Sequence, residues 1–261
     1  MNDLQLRFTY VGGPTALIEL GGLRLLPDPT FDPPGEYRTS TYVLRKTRGP
    51  VIDNDAIGSL DAVFLSHDQH LDNLDATGRV VLKHAALVLT TPAGAERLGD
   101  NATGLSPWQT IDIPTRDGHI LQITGTPAHH GPAQKDRGPV TGFVLALAGD
   151  EPGRAVYISG DTVWHEDLLE ISRCFCVRVA VLFMGAAKVA EVGPWHLTFT
   201  AAERVQVARA FPDAAIVPLH FEGWAHYSES RGDIEQAFAA AGLQHRLRWL
   251  EPGRPIDLDV L

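Results

Sequence analysis

Four short apolar runs in this chain are each followed, at once or within four residues, by a histidine or an aspartate, and that recurrence constrains the fold more than any other feature. Ala62–Ser66 (AVFLS) leads into His67-Asp68-Gln69-His70-Leu71-Asp72-Asn73, and HILQITG leads into Thr126-Pro127-Ala128-His129-His130-Gly131. AVYISG is followed by Asp161-Thr162, and AAIVPL by His220. Short runs of aliphatic and β-branched residues bounded by turn residues read as buried strands. Strand C-termini in α/β folds open onto one edge, where ligand sites are assembled from loops. These imidazoles and carboxylates are therefore expected to converge. Both are natural ligands for Zn²⁺ and similar divalent ions. A nitrogen-and-oxygen donor set suits a catalytic site that keeps a position for water, whose pKa the metal lowers towards about 7.

The rest of the chain reads as strands with helices between them. Strands are expected at Leu4–Tyr10, Thr15–Leu20 and Leu23–Leu26, the last two joined by a Gly21-Gly22 hairpin turn. Pro27–Pro50 reads as a long irregular stretch, the kind that is often a functional loop. Further strands are expected at Ala86–Thr91, His119–Thr124, Thr141–Ala148, Ala155–Gly160, Val179–Phe183, Ala214–Leu219 and His245–Leu250. Helices are expected at Pro92–Leu98, Trp164–Ser172, Thr200–Phe211 and Gly232–Ala241, the third capped by Thr200 or Thr198. Antiparallel strands first, then mixed strands and helices, predict two sheets covered by helices: a four-layer α/β arrangement in one domain over residues 1–261.

Charge and cysteine content narrow the function. With 22 basic against 32 acidic residues the formal charge is −10, and no Lys/Arg cluster offers a nucleic-acid face. Cys174 and Cys176 stand too close for an unstrained bridge, so they read as structural thiols of a reducing compartment. The opening MNDLQLRFTYVGG lacks the pattern of a signal peptide, and no apolar run is long enough to span a bilayer. The expectation is a cytoplasmic protein without membrane insertion.

In this order the blocks resemble the metallo-β-lactamase superfamily, over nearly the whole chain. SH-D-QH-L-DN resembles its HxHxDH motif, YVGGPTALIELGGLRLLPDPTF its opening strands, TPAHH its third-motif histidine, SGDT its bridging aspartate and PLH its last histidine. PAHH and VPLHFEGWAH are most similar to the branch containing ascorbate-6-phosphate lactonase and the N-acyl-phosphatidylethanolamine phospholipase. The resemblance implies an αββα sandwich (α/β, or α+β) and a metal-dependent hydrolase. It implies His67, His70, Asp72, His130, Asp161 and His220 as metal ligands, with Asp28 supporting the ligand loop from below. It also selects His130 over His129, which is left behind the ligands as a donor or a neighbour.

Two departures from the family pattern matter. His67-Asp68-Gln69-His70 has one residue too many, so either His67 or Asp68 takes the first ligand position. Asn73 stands where the motif ends in histidine, and an amide oxygen is a weaker zinc ligand than imidazole. The second site is left with Asp72, Asp161 and His220, so the centre holds one or two ions, Zn²⁺ or the harder Mn²⁺. Asp161 could instead cap the helix after it. His196 and His226, each beside a tryptophan, are candidates to bind a small-molecule substrate, against closing their loops by packing. Lys135 and Arg137 could pair with a phosphate or lie in solvent, and His84, His119, His165 and His245 read as structural.

The mechanism expected is attack by metal-activated water on an ester, lactone, amide or phosphodiester, with Asp72 as general base. A metal-poor binding protein on the same fold and a di-iron oxidoreductase are the alternatives. Substrate and oligomeric state carry no code in the sequence.

Overall fold

The protein is described by a computed structural model covering residues 5–39, 42–149 and 154–258. Its first half runs β1 (Leu6–Gly12), β2 (Thr15–Leu20), β3 (Leu23–Pro27), β4 (Gly35–Arg38), β5 (Val43–Lys46), α1 (Asn54–Ile57), β6 (Ala62–Phe64), α2 (Ala76–His84), β7 (Val88–Thr90), α3 (Pro92–Leu98) and β8 (Ala102–Gly104). There follow β9 (Thr110–Pro114), β10 (Ile120–Thr126), β11 (Gly142–Leu147), β12 (Arg154–Ile158), α4 (Asp167–Cys174), β13 (Cys176–Phe183), α5 (Ala201–Ala210), β14 (Ala215–Leu219), α6 (Arg231–Ala240), a 3₁₀ turn at Gln244–Arg246, and β15 (Pro255–Leu258). Leu4, expected to open the first strand, lies outside the described residues.

Two sheets carry the fold, ordered β15-β1-β2-β3-β6-β7-β8 and β14-β13-β12-β11-β10-β9. Their facing sides bury Phe8, Ile18, Leu25 and Phe64 against Ile123, Phe143, Ile158 and Phe183. On the outside of the second sheet, Leu168, Ile171, Val207, Ile234 and Phe238 from α4, α5 and α6 cover Tyr157, Ala180 and Leu182. On the outside of the first, Ile57, Val81 and Leu82 cover Val63, Leu65 and Val88. The result is the expected α/β fold in four layers, αββα. Gly21 and Gly22 both take positive φ (56° and 76°), which the tight turn between β2 and β3 needs for its twist to match the strands.

Several local expectations shift. Pro27–Pro50 contains the β4–β5 hairpin, whose inward positions on β5 are Leu44 and Lys46; a buried lysine hides the apolar period. His245–Leu250 is not a sheet strand. Arg246 is buried there, and its guanidinium donates to the carbonyls of Ala208 (2.5 Å) and Ala214 (2.8 Å), which holds the segment as a turn against α5. The closing strand is β15, which pairs antiparallel with β1. Helix α2 was not foreseen; Asp75 caps it by accepting from Gly78 N at 2.8 Å. Thr200 caps α5 in a reciprocal capping box with Glu203. Helix α4 starts at Asp167, so Asp161 is not its cap. No helix among the described residues is long and apolar enough to cross a membrane.

Candidate metal centre

Strand direction brings the charged loops together. β12, β13 and β14 are parallel, while β11 is antiparallel to both β10 and β12. The C-terminal ends of β10, β12 and β14 therefore share one end of the second sheet, and His130, Asp161 and His220 follow them. The first sheet is joined at that end: Thr141 N donates to Ser66 O (3.0 Å), and His220 N donates to Gly13 O (2.9 Å). Gly160 permits the closest approach, because a Cβ there would meet Ser66 Cβ and Thr141 O at 2.7 Å, and its φ is +58°.

Three imidazoles form the first cluster. His67 Nε2 lies 2.7 Å from His70 Nδ1, which is 3.0 Å from His130 Nε2. The outer nitrogens fix the tautomers. His130 Nδ1 is 3.0 Å from the Leu197 carbonyl, which can only accept, so the proton is assigned to Nδ1 and Nε2 presents a lone pair. Ser66 Oγ donates to Asp28 Oδ2 (2.7 Å), so His67 Nδ1 donates to that hydroxyl at 2.9 Å and its Nε2 also faces inward unprotonated. Burial, helped by the His70 ring, pushes His67 well below the ordinary imidazole range, and burial takes His130 down to about 3. Asp68 points elsewhere, in a two-point pair with Arg97 (2.6 and 2.8 Å). Gln69, the additional residue, is exposed.

Asp72, Asp161 and His220 form the second cluster. His220 Nε2 lies 3.5 Å from Asp72 Oδ2 and 3.4 Å from Asp161 Oδ1, while Asp161 Oδ2 lies 3.7 Å from His130 Nε2. His226 Nε2 is 2.9 Å from Asp72 Oδ2. Burial pushes the Asp72 carboxyl up, but His226 and His220 outweigh it and hold the group well below its usual range. Asp161 goes the other way, raised by burial and then by the Asp72 charge. Asn73 donates from Nδ2 to Asp28 Oδ2 at 3.0 Å, while its buried Oδ1 and Asp161 Oδ1 have no hydrogen-bond partner.

This donor chemistry fits divalent cations. His70 Nδ1 can carry at most one proton between the inward lone pairs of His67 and His130, and the buried Asp161 Oδ1 has no partner, so the cluster is costly unless a cation is shared between these atoms. The two clusters stand beside a cleft of about 350 Å³ lined by Tyr42, Leu44, His70, Asp72, His130, Arg137, Val189, Glu191, Leu197 and His226. His226 and Arg137 thus reach the cleft, whereas His196 and Lys135 are not among its lining residues. His129 does not join either cluster; it packs with His165 at 4.5 Å between ring centroids. Sequence reasoning missed Ser66 and Tyr227, whose Oη lies 3.0 Å from His220 Nδ1. The Ser-His step was a usable signal for the first. Nothing local marks the second.

Residues 23–221 match the family described as the Beta-lactamase superfamily domain. A relative from Opitutus terrae named UPF0173 metal-dependent hydrolase is 29% identical over 266 aligned residues, which cover 97% of this chain and all of the relative. Among solved structures, one described as a possible metal-dependent hydrolase from Veillonella parvula superposes with a TM-score of 0.81 at 18% identity, covering 97% of this chain and 100% of the other. An isothiocyanate hydrolase from Delia radicum gut bacteria gives 0.78 at 19%, covering 98% and 100%. At these identities the two structures speak for the fold alone.

Proposed function

The chain belongs to the β-lactamase superfamily and is a metal-dependent hydrolase, and from that premise we propose a two-ion centre, with His67, His70 and His130 holding one ion and Asp72 and His220 the other. Asp161 carries this reading, since one carboxylate faces His130 with Oδ2 and His220 with Oδ1. Zinc suits the all-imidazole cluster; Mn²⁺ is the harder alternative where Asn73 replaces an imidazole. The bound metals would supply Lewis acidity, lowering the pKa of water towards about 7 and drawing charge from the oxygen of the scissile group.

The chain's own residues do the rest. Asp72, kept ionised, accepts the proton of the attacking water, while His226 donates to Asp72 Oδ2 at 2.9 Å and fixes its orientation. His226 also lines the cleft, so it meets the substrate. Asp28, through Ser66 and Asn73, holds the ligand loop from behind. Tyr42, Leu44, Val189 and Leu197 give the cleft an apolar wall, and Arg137 gives it a cation for a polar or anionic substituent. The substrate class is a small ester, lactone, amide or phosphodiester. The resemblance to the lactonase and phospholipase branch puts lactones and phosphodiesters first, and the isothiocyanate hydrolase of the same fold adds that electrophile to the panel. Cytoplasmic residence belongs to the same reading, with Cys174 and Cys176 as free thiols.

Elemental analysis of untagged protein purified without added metal tests the centre. Close to two ions per chain is expected. One ion would reduce the centre to a mononuclear one on the three imidazoles. None, even after metal is restored, would overturn the reading and favour the binding-protein alternative.

A further inference from the structure

Beyond the two clusters of the proposed centre, the described residues include another group of side chains of metal-ligating type. His129, His165 and Asp167 each offer a donor atom, all within 4.8 Å of one another. His165 Nδ1 and His129 Nε2 lie 3.5 Å and 3.7 Å from the same oxygen, Asp167 Oδ2. Hydrogen bonds of this kind centre near about 2.9–3.0 Å, so both contacts are long. Two ligands each about 2.0–2.1 Å from a tetrahedral ion stand roughly 3.3–3.4 Å apart, close to what is seen.

The His165 ring supplies an independent observation. Its side chain is only 10% exposed, yet neither ring nitrogen makes a hydrogen bond. A buried imidazole in that state lacks the partner that buried polar groups normally have.

The backbone around the group is tied. His129 N donates to Thr162 Oγ1 (3.0 Å), and Val163 N donates to His129 O (2.9 Å). His129 precedes His130 directly, and His165 follows Asp161 by one helical turn's worth of chain. We infer that His129, His165 and Asp167 form a third divalent-metal site, distinct from the catalytic clusters and selective for a late first-row ion such as Zn²⁺. Two imidazoles and one carboxylate are a ligand set that Zn²⁺ takes with water in the remaining position. Asp167 is 58% and His129 43% exposed, so water completes the shell on the open side and the ion exchanges freely. An ion there clamps the His130 loop to the Asp161 segment. It binds more weakly than ions at the buried clusters and is the first lost on dialysis.

The deciding variant is Asp167→Ala. Asp167 is exposed and touches neither catalytic cluster, so the change leaves fold and proposed centre intact. Metal-free protein is dialysed to equilibrium against buffered Zn²⁺ in the micromolar range, and bound zinc is counted. Wild type is expected to hold one ion per chain more than Asp167→Ala, and His129→Gln to show the same deficit. Equal counts in wild type and Asp167→Ala overturn the site. The difference counts this ion whatever the catalytic centre holds, so failure here leaves that centre standing, and failure of that centre leaves this difference measurable.

Discussion

Asp28 touches none of the six proposed ligands, yet it organises three of them at the scale of single residues. Fully buried, at a positive φ of 30°, it accepts from Ser66 N at 2.6 Å and Ser66 Oγ at 2.7 Å, and from Asn73 Nδ2 at 3.0 Å. Those contacts fix the tautomer of His67 and the course of the loop that carries His70 and Asp72. Burial raises the Asp28 carboxyl to about 7 against the pull of Asn73 and Ser66, and Asp161 is raised well above its usual range. With Asp28 at about 7, its ionised form, the one that accepts from Ser66 Oγ and Asn73 Nδ2, gains population as pH rises through 7. A cation held by the loop in front of Asp28 favours that ionised form, so metal uptake at pH 7 is expected to release a proton from Asp28, with release shrinking as pH rises past 7. Titrating Zn²⁺ into weakly buffered protein with an indicator dye measures it; release that appears only below about pH 6.5 would point to the histidines instead. For Asp72, replacement by Asn is expected to lower kcat by about 10²–10⁴-fold with the fold retained. Steady-state rates measured beside metal content check this, and turnover within tenfold of wild type at full occupancy would remove Asp72 as base.

Among the elements, the β4–β5 hairpin matters most to the cleft and was least legible. Tyr42 and Leu44 line the cleft from it. Lys46 anchors it, with Nζ 3.1 Å from Asp75 Oδ2 and 5.4 Å from the Trp224 ring centroid. Asp75 is fully engaged, since it also caps α2 and accepts from Asp32 N at 2.7 Å. Removing one partner of a buried pair leaves the other charge uncompensated. Lys46→Ala is expected to cost about 3–5 kcal/mol in denaturant unfolding, and to raise KM more than it lowers kcat as Tyr42 and Leu44 lose their support. A cost below about 1 kcal/mol would place the pair in solvent. The regular strands and the capped helix α5 could be read from apolar period and caps. The hairpin could not, because its inward positions include a lysine that only the distant Asp75 neutralises. β8 and β9 were also silent: β8 is a three-residue edge strand with no apolar pattern, and β9 alternates only Ile111 and Ile113 over five residues that end in proline.

At the scale of the molecule, the N- and C-terminal strands pair with each other, and the candidate centre sits where both sheets end. We propose that the two halves fold as one unit, since each lends side chains to the shared core between the sheets. Calorimetry should show one cooperative transition, displaced to lower temperature by a chelator because ions bind only the folded chain. Two separable transitions, or a midpoint indifferent to chelator, would contradict this. The sequence by itself determined the strands that end in His or Asp, the four layers those strands build, and the residue types at their ends, because period and side-chain chemistry are local properties. Whether His67 or Asp68 turns inward was decided by tertiary structure, through Arg97 arriving from α3 to take Asp68. The same holds for His226 reaching Asp72 across 154 residues of chain, for His165 meeting His129, and for Asn73 spending its amide on Asp28. Each of these contacts depends on which loop ends the packed sheets bring within about 3–5 Å, a distance that no spacing along the chain encodes.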